Sequence, residues 1–328
     1  MGYKTINGLM RHLRDDNNIK ISGTTQKRWL LNTGYFHGYK GYRFFKHASK
    51  KLPFTSYDEI YATIQYDTQL KTLFYDKVMF IETAVKSIAL ECVLNKTGSE
   101  NIDAVFDSAI SSYKNSPTST KPKEKEKLQR EKLALLRDVH NLIVKEYSSQ
   151  NPKITHFYNN NSYDCVPIWA LFEVMMLGTF GKFLSCLTYD VRDAVSKSIG
   201  LNLASDTNRE LVYKYIYSLK DLRNAVAHND VVFDARFKRF SPSAPMKLCL
   251  QKEMNLQYVN FETIGDYVAL VCYYMRLLRM PRREIKSFLI GFEKATKEYS
   301  LKVNTAVSAI VIHPDTWARI AAMKKAVA

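Results

Sequence analysis

An all-α fold is the expectation for this chain, on three observations. Apolar residues recur at three- and four-residue spacing through most of the sequence, the pattern of helices with one buried stripe. The pairs Ser56/Glu59 and Thr207/Glu210 stand just ahead of two such runs, where hydroxyl and carboxylate can take up the orphan N–H groups of a first helical turn. No strand-rich region and no internal repeat occurs. The 328 residues are ample for a large core. We expect a helical, aromatic-basic segment at 1–55, a helical core at 56–300 with a helical insertion at about 101–150, and a tail at 301–328.

Composition narrows the partner. Lysine and arginine total 48 against 32 acids, a formal charge of +16, which favours an anionic partner. The five cysteines, at 92, 165, 186, 249 and 272, form no C-x-x-C pair, so reduced and mostly buried side chains are expected. No apolar signal region follows Met1-Gly2-Tyr3-Lys4, and Ile6 spoils a myristoylation pattern. The run Tyr267–Met275 is too short to span a bilayer. A cytoplasmic protein without membrane contact is expected. There is no Gly-rich phosphate loop and no carboxylate–histidine metal spacing, so neither cofactor nor metal is expected.

In chain order, Ile6, Leu9, Met10 and Leu13 mark a first helix, and Trp29, Leu30 and Leu31 belong to a second after Thr24-Thr25. The stretch from Asn32 to Lys46 is different. Gly34, Gly38 and Gly41 interrupt a long helix. Between and beyond them Tyr35, Tyr39, Lys40, Tyr42, Arg43 and Lys46 alternate rings with cations, a composition suited to stacking on bases and touching phosphate. An aromatic hinge with snorkelling lysines has the same composition. Ser56/Glu59 then opens a helix of near 40 residues, with a bend expected near Tyr66-Asp67. Glu82 and Lys86 lie one turn apart on it.

A short helix at Ile102–Tyr113, a linker at Lys114–Lys121 and an amphipathic helix with a solvated KEKEKLQREK start follow. Ser148–Asp164 reads as an irregular loop. Pro167 opens a helix apolar on nearly every side from Ile168 to Leu177, with Glu173 its only charge and Gly178–Gly181 its break. A segment at Val231–Phe240 carries Arg236, Lys238 and Arg239, and Phe261–Met280 is a further helix ended by Pro281. Arg276, Arg279, Arg282, Arg283 and Lys286 cluster across that corner against one acid, Glu284, a patch suited to phosphate contact.

The chemistry-bearing candidate is Arg223-Asn224-Ala225-Val226-Ala227-His228. It ends a helix whose stripe is Val212, Tyr215, Ile216, Leu219, Leu222 and Val226, with Asn229-Asp230 as the stop. Arg223 falls on the flank of that stripe, where a guanidinium needs an acceptor. Glu82 and Glu173 are the candidate partners. His228 lies roughly 140° further round an ideal helix. An imidazole can move the proton of a 2′-hydroxyl or of a leaving 5′-oxygen, and a guanidinium can receive a phosphate as charge develops. A helix-terminal histidine can equally cap carbonyls alone.

Four stretches, NTGYFHGYKGYRFF at 32–45, YDTQLKTLFYDKVMFIETAVKS at 66–87, PIWALFEVMMLGTFGKF at 167–183 and LRNAVAH at 222–228, together resemble the Abi-like abortive-infection proteins (the AbiD/AbiF group), a branch of the HEPN superfamily. The resemblance implies a HEPN-type helical bundle with N-terminal and inserted extensions. It implies that Arg223, Asn224 and His228 supply a metal-independent ribonuclease site, and that the protein acts in antiphage defence. Where Lys86 stands the family typically has arginine, which leaves that position's role open. Two functions fit: an endoribonuclease leaving 2′,3′-cyclic phosphate ends, or a non-cleaving scaffold for a structured small non-coding RNA. Because one chain offers one Arg223 and one His228, a homodimer that pairs two motifs is expected.

Overall fold

The structure is a computed structural model that describes residues 4–159 and 165–327. Met1–Tyr3, residues 160–164 of the expected loop, and Ala328 of the tail lie outside the described residues. Among those described there are fifteen α-helices and no strand: α1 (Ile6–Asn17), α2 (Gly23–Thr33), α3 (Tyr57–Thr97), α4 (Ile102–Ser108), α5 (Pro122–Ser148), α6 (Pro152–Asn159), α7 (Ile168–Val174), α8 (Leu177–Cys186), α9 (Tyr189–Ile199), α10 (Leu211–Ala227), α11 (Ala244–Glu253), α12 (Ile264–Leu277), α13 (Arg282–Lys302), α14 (Thr305–Val311) and α15 (Thr316–Ala326). The all-α expectation holds. The described residues form two units. One draws on Met1–Met79, Asp221–Pro242 and Leu250–Ala328, the other on Phe80–Lys220 and Ser243–Cys249.

The first unit is built on α12. Every residue from Tyr267 to Met275 is fully buried, because no charge occurs between Asp266 and Arg276. Asp266 is itself buried and is paired with Arg319, which also donates to the Tyr258 carbonyl at 2.8 Å, so α15 is tied to α12. The tail beyond Leu301 is thus ordered structure. A second seam joins α3 to α13. Tyr66 stacks on Tyr299 with centroids 4.6 Å apart, and the two hydroxyls meet Thr296 and Thr63 at 3.1 Å. Gly291 permits the close approach, since a Cβ there would lie 2.7 Å from a Leu73 methyl.

The Ser56/Glu59 box forms as expected. Ser56 N–H donates to Glu59 Oε2 at 3.2 Å, and Glu59 N–H to Ser56 Oγ at 3.4 Å. The same carboxylate accepts the Thr55 N–H and both the backbone and side-chain N–H groups of Asn304. Burial pushes the Glu59 pKa up, but these bonds outweigh burial and hold it below its ordinary value. From this cap α3 runs helical through Tyr66-Asp67 for 41 residues.

In the second unit four sequence expectations need correction. The helix at 168–177 ends at Val174, and Met175 and Met176 are extended. Lys86 donates to the Met175 carbonyl at 2.6 Å, an acceptor that the helix end leaves open. Gly178 and Gly181 lie inside α8. Gly181 faces Tyr217, whose ring a Cβ would approach to 3.0 Å, so this glycine serves helix packing rather than helix breaking. The loop expected from 148 contains α6, with Ile154 and Phe157 buried three apart, an apolar run too short to be read from spacing. The cap of α10 is Asp206, not Thr207: its Oδ1 accepts the N–H groups of Glu210 at 2.7 Å and Leu211 at 3.2 Å. On α5, Leu135, Val139 and Leu142 are buried and the lysine-rich start is solvated, as expected. Four of the five cysteines are buried, and none of the five forms a disulfide.

Candidate functional site

The end of α10 carries the motif. Leu219, Leu222 and Ala225 are buried, Arg223 is half-buried, and Asn224 and His228 are exposed. The helix stops where the sequence indicates. Asn229 adopts a left-handed conformation with φ 57°. Its N–H donates to the Val226 carbonyl at 3.4 Å, and the Asp230 N–H donates to the Ala225 carbonyl at 2.8 Å. This closure takes up carbonyls of the last turn and leaves His228 as the cap residue. Its imidazole stands in solvent at the negative end of the helix.

Two buried carboxylates hold the chain that follows. Asp67, with no exposed surface, accepts the N–H groups of Val232 and Phe233 through Oδ1 at 2.7 and 2.8 Å. Its Oδ2 accepts the Tyr42 hydroxyl at 2.7 Å and pairs with Lys71 at 2.9 Å. Asp221, two residues before Arg223, accepts the N–H groups of Arg239 and Phe240 at 2.8 and 2.7 Å. The segment after His228 is therefore fixed near both of its ends by charge-assisted bonds.

Lys71 continues the network outward. Its Nζ donates to Asn229 Oδ1 at 2.5 Å, and Asn229 Nδ2 lies 3.3 Å from Nε2 of His37. His37 belongs to the glycine-bearing segment, which winds as a π-helix over Gly34–Lys40. Gly38 is required there, because a Cβ would lie 2.8 Å from Thr33 Oγ1. Sequence reasoning missed Asp67, Lys71, Asn229 and His37 as parts of the site. One signal was present: Asp67 lies seven residues from both Ile60 and Phe74, inside the apolar stripe, with a lysine one turn on.

The expected RNA contacts separate into two groups. Tyr39 and Tyr42 are buried; Tyr39 donates to Asn17 at 2.9 Å, and Tyr42 stacks on Phe233. Burial first, and then the Asp67 carboxylate, pushes the Tyr42 phenol up. Tyr35 is half-buried and bonded to His12 at 2.9 Å. Arg236 is held by Asp234, by the carbonyls of Gly41 and Phe44 at 2.7 Å, and over the Phe44 ring. Lys46 and Lys238 share Glu262, whose pKa burial would raise and the two ammonium groups bring down to about 2. Arg276 is tied to Glu253 at 2.6 Å and to the Ala326 carbonyl. By contrast Arg239, Arg279, Arg282, Arg283 and Lys286 are exposed. Lys40 and Arg43 are half-buried, Lys40 lying over the rings of Tyr35 and the exposed Phe36, and Arg43 over Tyr39. Of the supporting residues, Glu82 takes Lys86 at 2.9 Å, and Glu173 is exposed and pairs with Lys153 at 3.0 Å.

No helix among the described residues is long and apolar enough to cross a membrane. Neither a curated protein nor a solved structure matches the chain. The family model described as Abi-like protein matches residues 28–234, a span that takes in the glycine-bearing segment, both buried carboxylates and the whole Arg223–His228 motif. That match covers well over half of the 328 residues, and the chain belongs to the Abi-like protein family.

Proposed function

We propose that this protein is a metal-independent endoribonuclease of the HEPN class, acting in bacterial defence against phage, with Arg223 and His228 at its site. The observation that carries this is a half-buried guanidinium and an exposed imidazole five residues apart, in the last turns of one closed helix end. A base removes the proton of the 2′-hydroxyl, O2′ attacks phosphorus, and O5′ departs with a proton, leaving a 2′,3′-cyclic phosphate and a 5′-hydroxyl. His228 moves a proton in this sequence, Arg223 meets the charge that builds on the phosphoryl oxygens, and Asn224, exposed one residue on, contacts the same phosphate.

RNA is held at the exposed cations Arg279, Arg283 and Lys286, with Arg282 between them, and at Lys40 and Arg43. These side chains lie apart in sequence from Arg223–His228. They are the support for a second reading, a non-cleaving scaffold that holds a structured small RNA. Two copies of the chain, each offering one Arg223 and one His228, would assemble the cleft as a homodimer.

A labelled RNA digest in EDTA tests the proposal. Wild type cleaves, and His228→Ala lowers the rate by roughly 10²–10⁴, the span of general acid–base catalysis. Intact RNA with wild type, in a protein that still binds it, is the scaffold outcome. The same digest on mixed Arg223→Ala and His228→Ala chains recovers partial activity if the site is shared, and none if each chain works alone.

A further inference from the structure

We propose that His37 is an RNA-contacting residue of the Arg223–His228 site, presenting its Nδ1–H to the phosphate. Lys71 and Asn229 act as the positioning relay that sets its tautomer. The inference rests on the reading of α10's end as an RNA site, and it adds a donor that the motif itself does not contain.

The argument begins at Asp67, which has no exposed surface and needs a cation nearby; Lys71, one turn on and 8% exposed, supplies it at 2.9 Å. An ammonium can only donate. The Asn229 side-chain atom 2.5 Å from Lys71 Nζ is therefore the amide oxygen, and the amide nitrogen faces the other way. That nitrogen carries two hydrogens and no acceptor. The His37 atom 3.3 Å from it, Nε2, must then accept, so the ring carries its single proton on Nδ1. A ring protonated on both nitrogens would face the amide with a second donor and lose the bond. Each orientation follows from the one before, starting from a buried carboxylate.

Position supports the same conclusion. Asn229 is bonded to His228, and its left-handed backbone closes the helix that bears Arg223. His37 is exposed, as is Phe36 beside it, at 79%. Both lie in the π turn of Gly34–Lys40, where a Cβ at Gly38 would come within 2.8 Å of Thr33 Oγ1. A neutral imidazole with a fixed N–H is suited to a non-bridging phosphate oxygen, which can accept from it while Arg223 meets the same group. No covalent step is assigned to His37.

The test separates this contact from catalysis. Affinity for a 2′-O-methyl RNA, which cannot be cleaved, is measured by titration for wild type, His37→Ala, His37→Gln and Asn229→Ala, with cleavage of the all-ribose strand assayed beside it. His37→Ala is expected to weaken binding of the uncleavable strand roughly 10- to 100-fold, the worth of one hydrogen bond to a charged group. His37→Gln keeps an acceptor toward Asn229 and an N–H toward the phosphate, and restores most of the affinity. Asn229→Ala weakens binding too, and its effect does not add to that of His37→Ala. Unchanged affinity in His37→Ala, or failure of glutamine to rescue, overturns the proposal even if the enzyme cleaves. Weakened binding in a protein that never cleaves upholds His37 and removes only the nuclease reading. A wild type that binds no RNA overturns both.

Discussion

Asp67 lies in the apolar stripe of α3 and accepts or pairs with four donors: the Val232 and Phe233 N–H groups, the Tyr42 hydroxyl and Lys71. Removing one partner of such a buried charged set leaves the others desolvated and unpaired, at a cost of about 3–5 kcal/mol. Asp67→Ala should therefore lower stability in a denaturant titration by that order and lower RNA affinity with it. His228→Ala, at an exposed helix cap, should unfold close to wild type. Equal stability of the two variants would show that Asp67 is not the anchor. The motif itself was legible in the sequence, because the helical spacing placed Arg223 on the stripe's flank and Asn229-Asp230 at the stop. Asp67 was not read as an anchor. Spacing marks the acid as buried but not what it holds, and two of its donors are backbone N–H groups 165 and 166 residues away.

Helix ends are where the sequence spoke least reliably. Ser56/Glu59 closed as expected, whereas Asp206 displaced Thr207 at α10, since a carboxylate one residue earlier reaches the same N–H groups. The Met175-Met176 break went unseen because the residue that uses it, Lys86, comes from another helix. Glu59 gives this scale its prediction. Its folded pKa lies below the ordinary value of 4.5. Its ionised form therefore adds stability that is fully present above that value and is lost as pH falls through the folded pKa. Glu59→Gln should destabilise the protein at pH 7, and the gap to wild type should close as pH drops below about 4.5. A gap independent of pH, in urea titrations at several pH values, would show that charge at Glu59 does not matter.

Across the whole molecule, a net charge of +16 does not by itself place an RNA surface. Arg236, Lys46, Lys238 and Arg276 were indistinguishable in sequence from their neighbours, yet each is held by an acid inside the first unit. Arg239 and the corner after α12 are exposed. Reversing Arg279, Arg282 and Arg283 to Glu should weaken RNA binding and flatten its dependence on salt, because fewer counterions are released. Equal affinity and equal slope, measured from 50 to 200 mM salt, would take that corner out of the binding surface.

The central claim is that Arg223 and His228 cut RNA through its own 2′-hydroxyl. Its most direct test is single-turnover cleavage in EDTA of a labelled RNA, beside the same strand with a 2′-deoxy sugar at the scissile position. The account predicts a 2′,3′-cyclic phosphate end from wild type, no cleavage at the deoxy position, and loss of both product and rate in His228→Ala. Cleavage that survives His228→Ala, or that proceeds at the deoxy position, would contradict it.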